Sequence, residues 1–143
     1  MDNFIKVSLK STGENESLAR VIVANFISFA NPTIEEICDI KTAVSEAVTN
    51  CIVHGYNNGD GIINITAKLR KKELYIEIED FGKGIADVDK AREPLFTTQP
   101  ESERSGMGFT VMEAFMDYVE VISQVGYGTK VIMKKVIGAE NEV

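Results

Sequence analysis

Tryptophan is absent from this 143-residue chain, histidine occurs once (His54), cysteine twice (Cys38, Cys51) and proline three times. Each scarcity excludes something. A single histidine and no clustered Cys/His spacing leave nothing from which to build a zinc site. The two cysteines fall within one helical pattern. Their separation along a helix would be roughly 20 Å, beyond the reach of a disulfide. They are expected to be free thiols serving as small apolar core residues, as suits a reducing cytoplasm. No apolar run approaches the length of a membrane span. The opening Met1-Asp2-Asn3-Phe4-Ile5-Lys6 is neither a signal peptide nor a lipidation motif.

Basic residues are the minority: 15 Lys and Arg stand against 22 Asp and Glu, for a net charge of -7. That field repels phosphate backbones, so direct nucleic-acid binding is not expected, whereas a basic protein partner is accommodated. What is plentiful is apolar: 44% of residues are hydrophobic and 26% charged, enough to bury a core. The length predicts one domain over residues 1–143.

Hydrophobic period places the elements. Ile5, Val7 and Leu9 alternate, predicting a strand over Phe4 to Lys10. Ser11 and Glu14 have the spacing of a capping box, and the helix after them carries Leu18, Val21, Ile22, Phe26 and Phe29 as its predicted apolar face. Asn31-Pro32 breaks it. Thr33 and Glu36 form a second capping box. They open a long helix in which Ile37, Ile40, Val44, Val48, Cys51 and Ile52 keep the period to about Val53, with Gly55 and Asn57-Asn58-Gly59 beyond. Two alternating strands follow (Ile63 to Leu69, Leu74 to Ile78), with Lys71-Lys72 as the hairpin turn. The glycine-bearing stretch from Phe81 to Gly108 reads as a long functional connection. A helix from Phe109 to Asp117 and strands near Tyr118–Val125 and Thr129–Ile137, joined by Gly126-Tyr127-Gly128, complete the pattern. This order predicts an α/β two-layer sandwich, a mainly antiparallel sheet covered on one face by helices.

Four groups of residues carry chemistry. Glu46 and Asn50 lie four apart on the long helix and point the same way. A carboxamide oxygen suits a hard cation, and a carboxylate suits orienting or deprotonating a nucleophile, although such a pair on a helix is more often a solvated face. Asp80-Phe81-Gly82-Lys83-Gly84 ends a strand with an acid and turns on glycines. The acid can accept from an exocyclic amine, and the same residues can equally be a simple turn. Arg104-Ser105-Gly106-Met107-Gly108-Phe109 precedes a helix whose N–H groups can cradle phosphates. Gly126-Tyr127-Gly128-Thr129 reads by itself as a hairpin turn. Neither a Walker loop nor G-x-G-x-x-G is present.

Taken in order, Glu-x-x-x-Asn, D-x-G-x-G, G-x-G at a helix start and G-x-G-T resemble the ATP-binding (Bergerat-type) fold shared by gyrase, the Hsp90 chaperone, histidine kinases and MutL. Gly13 to Arg20, Ser45 to Asn50 with His54-Gly55-Tyr56, and Pro94 to Thr98 with Arg104 to Phe109 resemble, almost end to end, the anti-sigma-F factors of spore-forming bacteria.

The resemblance implies ATP or ADP with Mg²⁺ held between helices and sheet, under a lid spanning roughly residues 86–105. It implies a dimeric protein-serine kinase that sequesters the sporulation sigma factor F and phosphorylates its anti-anti-sigma antagonist. Carried over, Glu46 is the base and Asn50 the Mg²⁺ ligand. Asp80 recognises adenine, with Gly82, Gly84 and Thr129 shaping its pocket. Gly106 and Gly108 contact phosphates, Arg104 the γ-phosphate, and Glu16 and Arg20 the docking face for either partner. Two alternatives stay open: an ATP-switched sequestering module without kinase activity, and a sister kinase controlling a stress sigma factor.

Overall fold

A computed structural model describes residues 2–94 and 108–138. Five strands, β1 (Asp2–Lys10), β2 (Ile62–Arg70), β3 (Glu73–Asp80), β4 (Tyr118–Gln124) and β5 (Gly128–Val136), form one sheet in the order β1-β2-β3-β5-β4. Every neighbouring pair is antiparallel. The strand period of two sends Ile63, Ile65, Ala67 and Leu69 of β2 and Leu74, Ile76 and Ile78 of β3 to one face, where all are buried. Helices α1 (Gly13–Ile27), α2 (Ile34–Asn50) and α4 (Gly108–Phe115) cover that face, and a short α3 (Val88–Ala91) lies in the connection after β3. The fold is therefore the α/β two-layer sandwich predicted.

The opposite sheet face has no covering element among the described residues. It carries Phe4, Tyr118 and Ile122 in the open. Lys68 sits 5.3 Å from the Tyr75 ring centroid, and Lys134 4.9 Å from that of Tyr118.

The second capping box is present in full: Glu36 N–H donates to Thr33 Oγ1 (3.1 Å), and Thr33 N–H to Glu36 Oε1 (2.8 Å). The first is not. Thr12 is the residue before α1, with no side-chain cap. Ser11 is buried, and its hydroxyl donates to Gly59 O (3.0 Å) while its amide donates to Gly61 O (3.0 Å). The loop ahead of β2 captures the serine that the spacing assigned to the helix.

The apolar face of α1 also differs. Ala19, Val23, Phe26 and Ile27 are buried, whereas Leu18, Val21 and Phe29 are exposed. From Leu18 to Ile27 only Arg20 and Asn25 are polar, so apolar residues stand on every side of that part of the helix and periodicity has no unique answer. Cys51 is buried as expected; Cys38 is exposed, and both are free thiols. The long helix changes character at its end: α2 stops at Asn50, and Cys51–Gly55 form a π-helical turn. Such turns concentrate at functional sites. No helix among the described residues is long and apolar enough to cross a membrane.

Candidate functional site

The π turn is the hinge-pin of the site. Gly55 O accepts from Lys83 N–H (2.9 Å), which ties the end of the α2 layer to the loop after β3. The two backbones touch. A Cβ on Gly82 would lie 2.0 Å from Gly55 O, and one on Gly55 would lie 2.8 Å from the Asp80 carboxyl carbon. Tyr56 adds a second tie, its hydroxyl donating to Ile62 O (2.5 Å) and accepting from Phe81 N–H (2.7 Å). Strand register brings up the fourth motif. Asp80 pairs with Thr129, and the Gly126 amide donates to Lys83 O (2.8 Å). Gly128 holds φ 126° with Asp80 O where a Cβ would be, at 2.1 Å, so a side chain is excluded both by conformation and by space.

These ties enclose a cleft of about 380 Å³ between the helices and the sheet. Its walls are mostly apolar, including Ala47, Ile85, Phe109, Val125 and Val131. Such a cleft with a few convergent polar groups is the usual form of a small-molecule site. Of the sequence-predicted residues, Asn50, Asp80, Gly84, Gly108 and Thr129 line it. Gly82 does not; it packs on Gly55 and donates its amide to Asp80 Oδ1 (2.9 Å). Glu46 and Asn50 converge on the first residue of α4. A Cβ on Gly108 would stand 3.2 Å from the Asn50 carboxamide and 3.5 Å from Glu46 Oε2. Arg104 and Gly106, and residues 95–105 of the expected lid, lie outside the described residues.

Asp80 is 4% exposed. Burial pushes its carboxyl above the ordinary carboxylate range, and hydrogen bonds from the Gly82 amide, the Cys51 thiol and the Thr129 amide partly offset the rise. Burial, then the Asp80 charge and hydrogen bond, push the Cys51 thiol well up. Cys51, His54 and Gly55 also line the cleft, although sequence reasoning assigned them no role there. Their available signal was their position directly after Asn50, within the turn that follows it.

Glu16 and Arg20 lie elsewhere, on a second groove of about 440 Å³ between α1 and α2, with Ser45 and Thr49. Arg20 Nε is 3.3 Å from Glu16 Oε1, the intrahelical ion pair that four-residue spacing allows. Arg20 Nη2 donates to Ser17 Oγ (3.2 Å), and Ser45 donates to Glu16 Oε1 across the two helices. Arg20 Nε is buried without a hydrogen-bond partner of good geometry.

The fold and cleft define a class. The family described as "Histidine kinase-like ATPase domain" matches residues 9–135. The RsbU and RsbW domains of a Mycobacterium tuberculosis protein share the fold at TM-score 0.68 and 18% identity, over 94% of this chain and 32% of that one; this chain thus spans about a third of that solved structure's length.

Curated relatives narrow the class. The "Anti-sigma F factor" of Clostridium kluyveri (strain ATCC 8527) is 54% identical, over 96% of this chain and 97% of its own. That of Caldanaerobacter subterraneus subsp. tengcongensis is 57% identical over 96% of each. The chain belongs to the anti-sigma F factor family, built on the histidine kinase-like ATPase fold.

Proposed function

We propose that this chain captures the sporulation sigma factor F and uses ATP to phosphorylate a serine of the anti-anti-sigma antagonist. The observation that carries the reading is the convergence of Glu46 and Asn50 on Gly108, at the edge of a cleft whose buried acceptor is Asp80. Asp80 accepts the adenine amine within apolar walls. The N-terminal amides of α4, Gly108 first, face the phosphates; by the family resemblance Gly106 is a phosphate contact, Arg104 the γ-phosphate contact, and residues 86–105 the lid. Glu46 takes the proton from the partner's serine.

No group of three or more His, Cys, Asp or Glu able to hold a metal ion occurs among the described residues. A Mg²⁺ ion that keeps nucleotide phosphate oxygens as ligands needs few hard oxygens from the protein. Asn50 would supply one, and the bound Mg²⁺ would neutralise phosphate charge.

The partner face is the groove between α1 and α2, where Arg20 stands with Glu16, Ser45 and Thr49. Arginine is among the residues enriched at interface hot spots. The protein works in the cytoplasm as a homodimer, and the sheet face left open among the described residues offers area for self-association. The kinase reading is tested by Mg²⁺-dependent transfer of labelled γ-phosphate to a serine of the antagonist. Sigma capture without any transfer would leave the ATP-switched sequestering module in its place. Capture of a stress sigma factor in preference to F would favour the sister-kinase alternative.

A further inference from the structure

Cys51 belongs to none of the four motifs, yet it lines the cleft and is only 3% exposed. Its thiol donates to the Asp80 carboxylate. The other two donors to that carboxylate, the amides of Gly82 and Thr129, come from the sheet side. Cys51 comes from the helix layer, as the first residue of the π turn. The same turn brings Gly55 against the carboxyl, where even a Cβ would collide at 2.8 Å. The carboxylate is thus held between the two layers, with the thiol as the side-chain contact from above.

We propose that Cys51 is a positioning residue for base recognition: its thiol fixes the Asp80 carboxylate in the orientation that accepts the exocyclic amine of a purine nucleotide. The proposal rests on the adenine-binding role given to Asp80 above. The thiol suits this task because it stays protonated in its buried setting and therefore remains a donor. It is a weak donor, so it orients the carboxylate without neutralising it. An alanine there would leave Asp80 anchored from the sheet side alone and free to turn about its terminal torsion.

The test compares ADP with IDP, which carries a 6-oxo acceptor in place of the amine, by calorimetric titration of the whole protein. Wild type is expected to prefer ADP. Cys51→Ala and Cys51→Val remove the donor, the second while filling the space, and each should shrink the ADP/IDP preference about two- to fivefold. Cys51→Ser, which retains a donor, should restore it. A thiol that merely fills space would weaken both nucleotides in parallel and leave the ratio unmoved, overturning the proposal. Asp80→Asn separates the underlying reading. If it leaves the preference intact, the adenine role of Asp80 fails and the Cys51 inference with it. If it collapses the preference while the donor-less Cys51 variants retain it, only the positioning role is lost.

Discussion

Replacing Gly82 by alanine adds one methyl group, and the structure says where it lands: 2.0 Å from Gly55 O and 2.3 Å from Gly55 C. Ordinary contact begins near 3.4 Å, so the two backbones must part by more than an ångström. Neither is the loose end of a side chain. The first casualty is the Lys83 N–H to Gly55 O hydrogen bond (2.9 Å), and the second is the Gly82 amide's hold on Asp80 (2.9 Å). Overpacking of this kind costs about 1–3 kcal/mol, and outright loss of the first of these hydrogen bonds about 1 kcal/mol more. A loss of roughly 2–4 kcal/mol lowers the melting temperature by roughly 5–15 °C. Because the displaced loop carries Asp80, ADP affinity should fall at least tenfold in the variant while it is still folded. Gly13→Ala is the control. Nothing lies within 4 Å of its added Cβ, and it occupies the first position of α1, so stability should hold or rise slightly. Thermal melts with and without ADP measure both effects. A Gly82→Ala protein that melts and binds ADP like wild type would refute the close-approach argument.

Two further outcomes follow from the same geometry. Arg20→Ala breaks a half-buried i,i+4 pair with Glu16; helix pairs of this spacing are worth ~0.3–0.5 kcal/mol, so melting temperature and ADP affinity should barely move while sigma-factor capture weakens at least roughly tenfold. A large fall in melting temperature, or wild-type capture, would place the docking face elsewhere. Glu36 gives a pH dependence. Burial pulls its carboxyl up, but hydrogen bonds from the amides of Thr33 and Gly138 outweigh that, leaving it below the ordinary range. A depressed folded-state value contributes stability that is fully present above the unfolded value, ~4.3, and is lost as pH falls through the folded one. Urea melts of Glu36→Gln should therefore lose stability less steeply below about pH 4.3 than wild type; parallel losses would contradict the assignment.

The strands were legible because each of β2 and β3 buries alternate residues against one helix layer, leaving a clean period of two. The Thr33 box was legible because both of its partners are local. Ser11 was misread because its partners, Gly59 and Gly61, are some fifty residues away and no local pattern announces them. The buried face of α1 was misread because Leu18, Val21 and Phe29 are apolar without being packed inward. In the site, order and spacing of motifs pointed to Asn50, Asp80, Gly84, Gly108 and Thr129, which the fold gathers round one cleft. Spacing could not distinguish a glycine that faces the cleft from one that admits a neighbouring backbone. Gly82 is of the second kind, and the contact that makes it so, with Gly55, exists only once the π turn has formed.

Glu46, next to Asn50 on α2 and facing the first residue of α4, is proposed as the base that activates a partner's serine. Single-turnover phosphotransfer by Glu46→Gln is the decisive measurement, because the substitution preserves shape and removes only the basic oxygen. Transfer should fall ~10²–10⁴-fold, the usual range for loss of a general base, while ATP binding and sigma-factor capture largely survive. Transfer at a rate near wild type, by a variant that binds ATP normally, would contradict the claim.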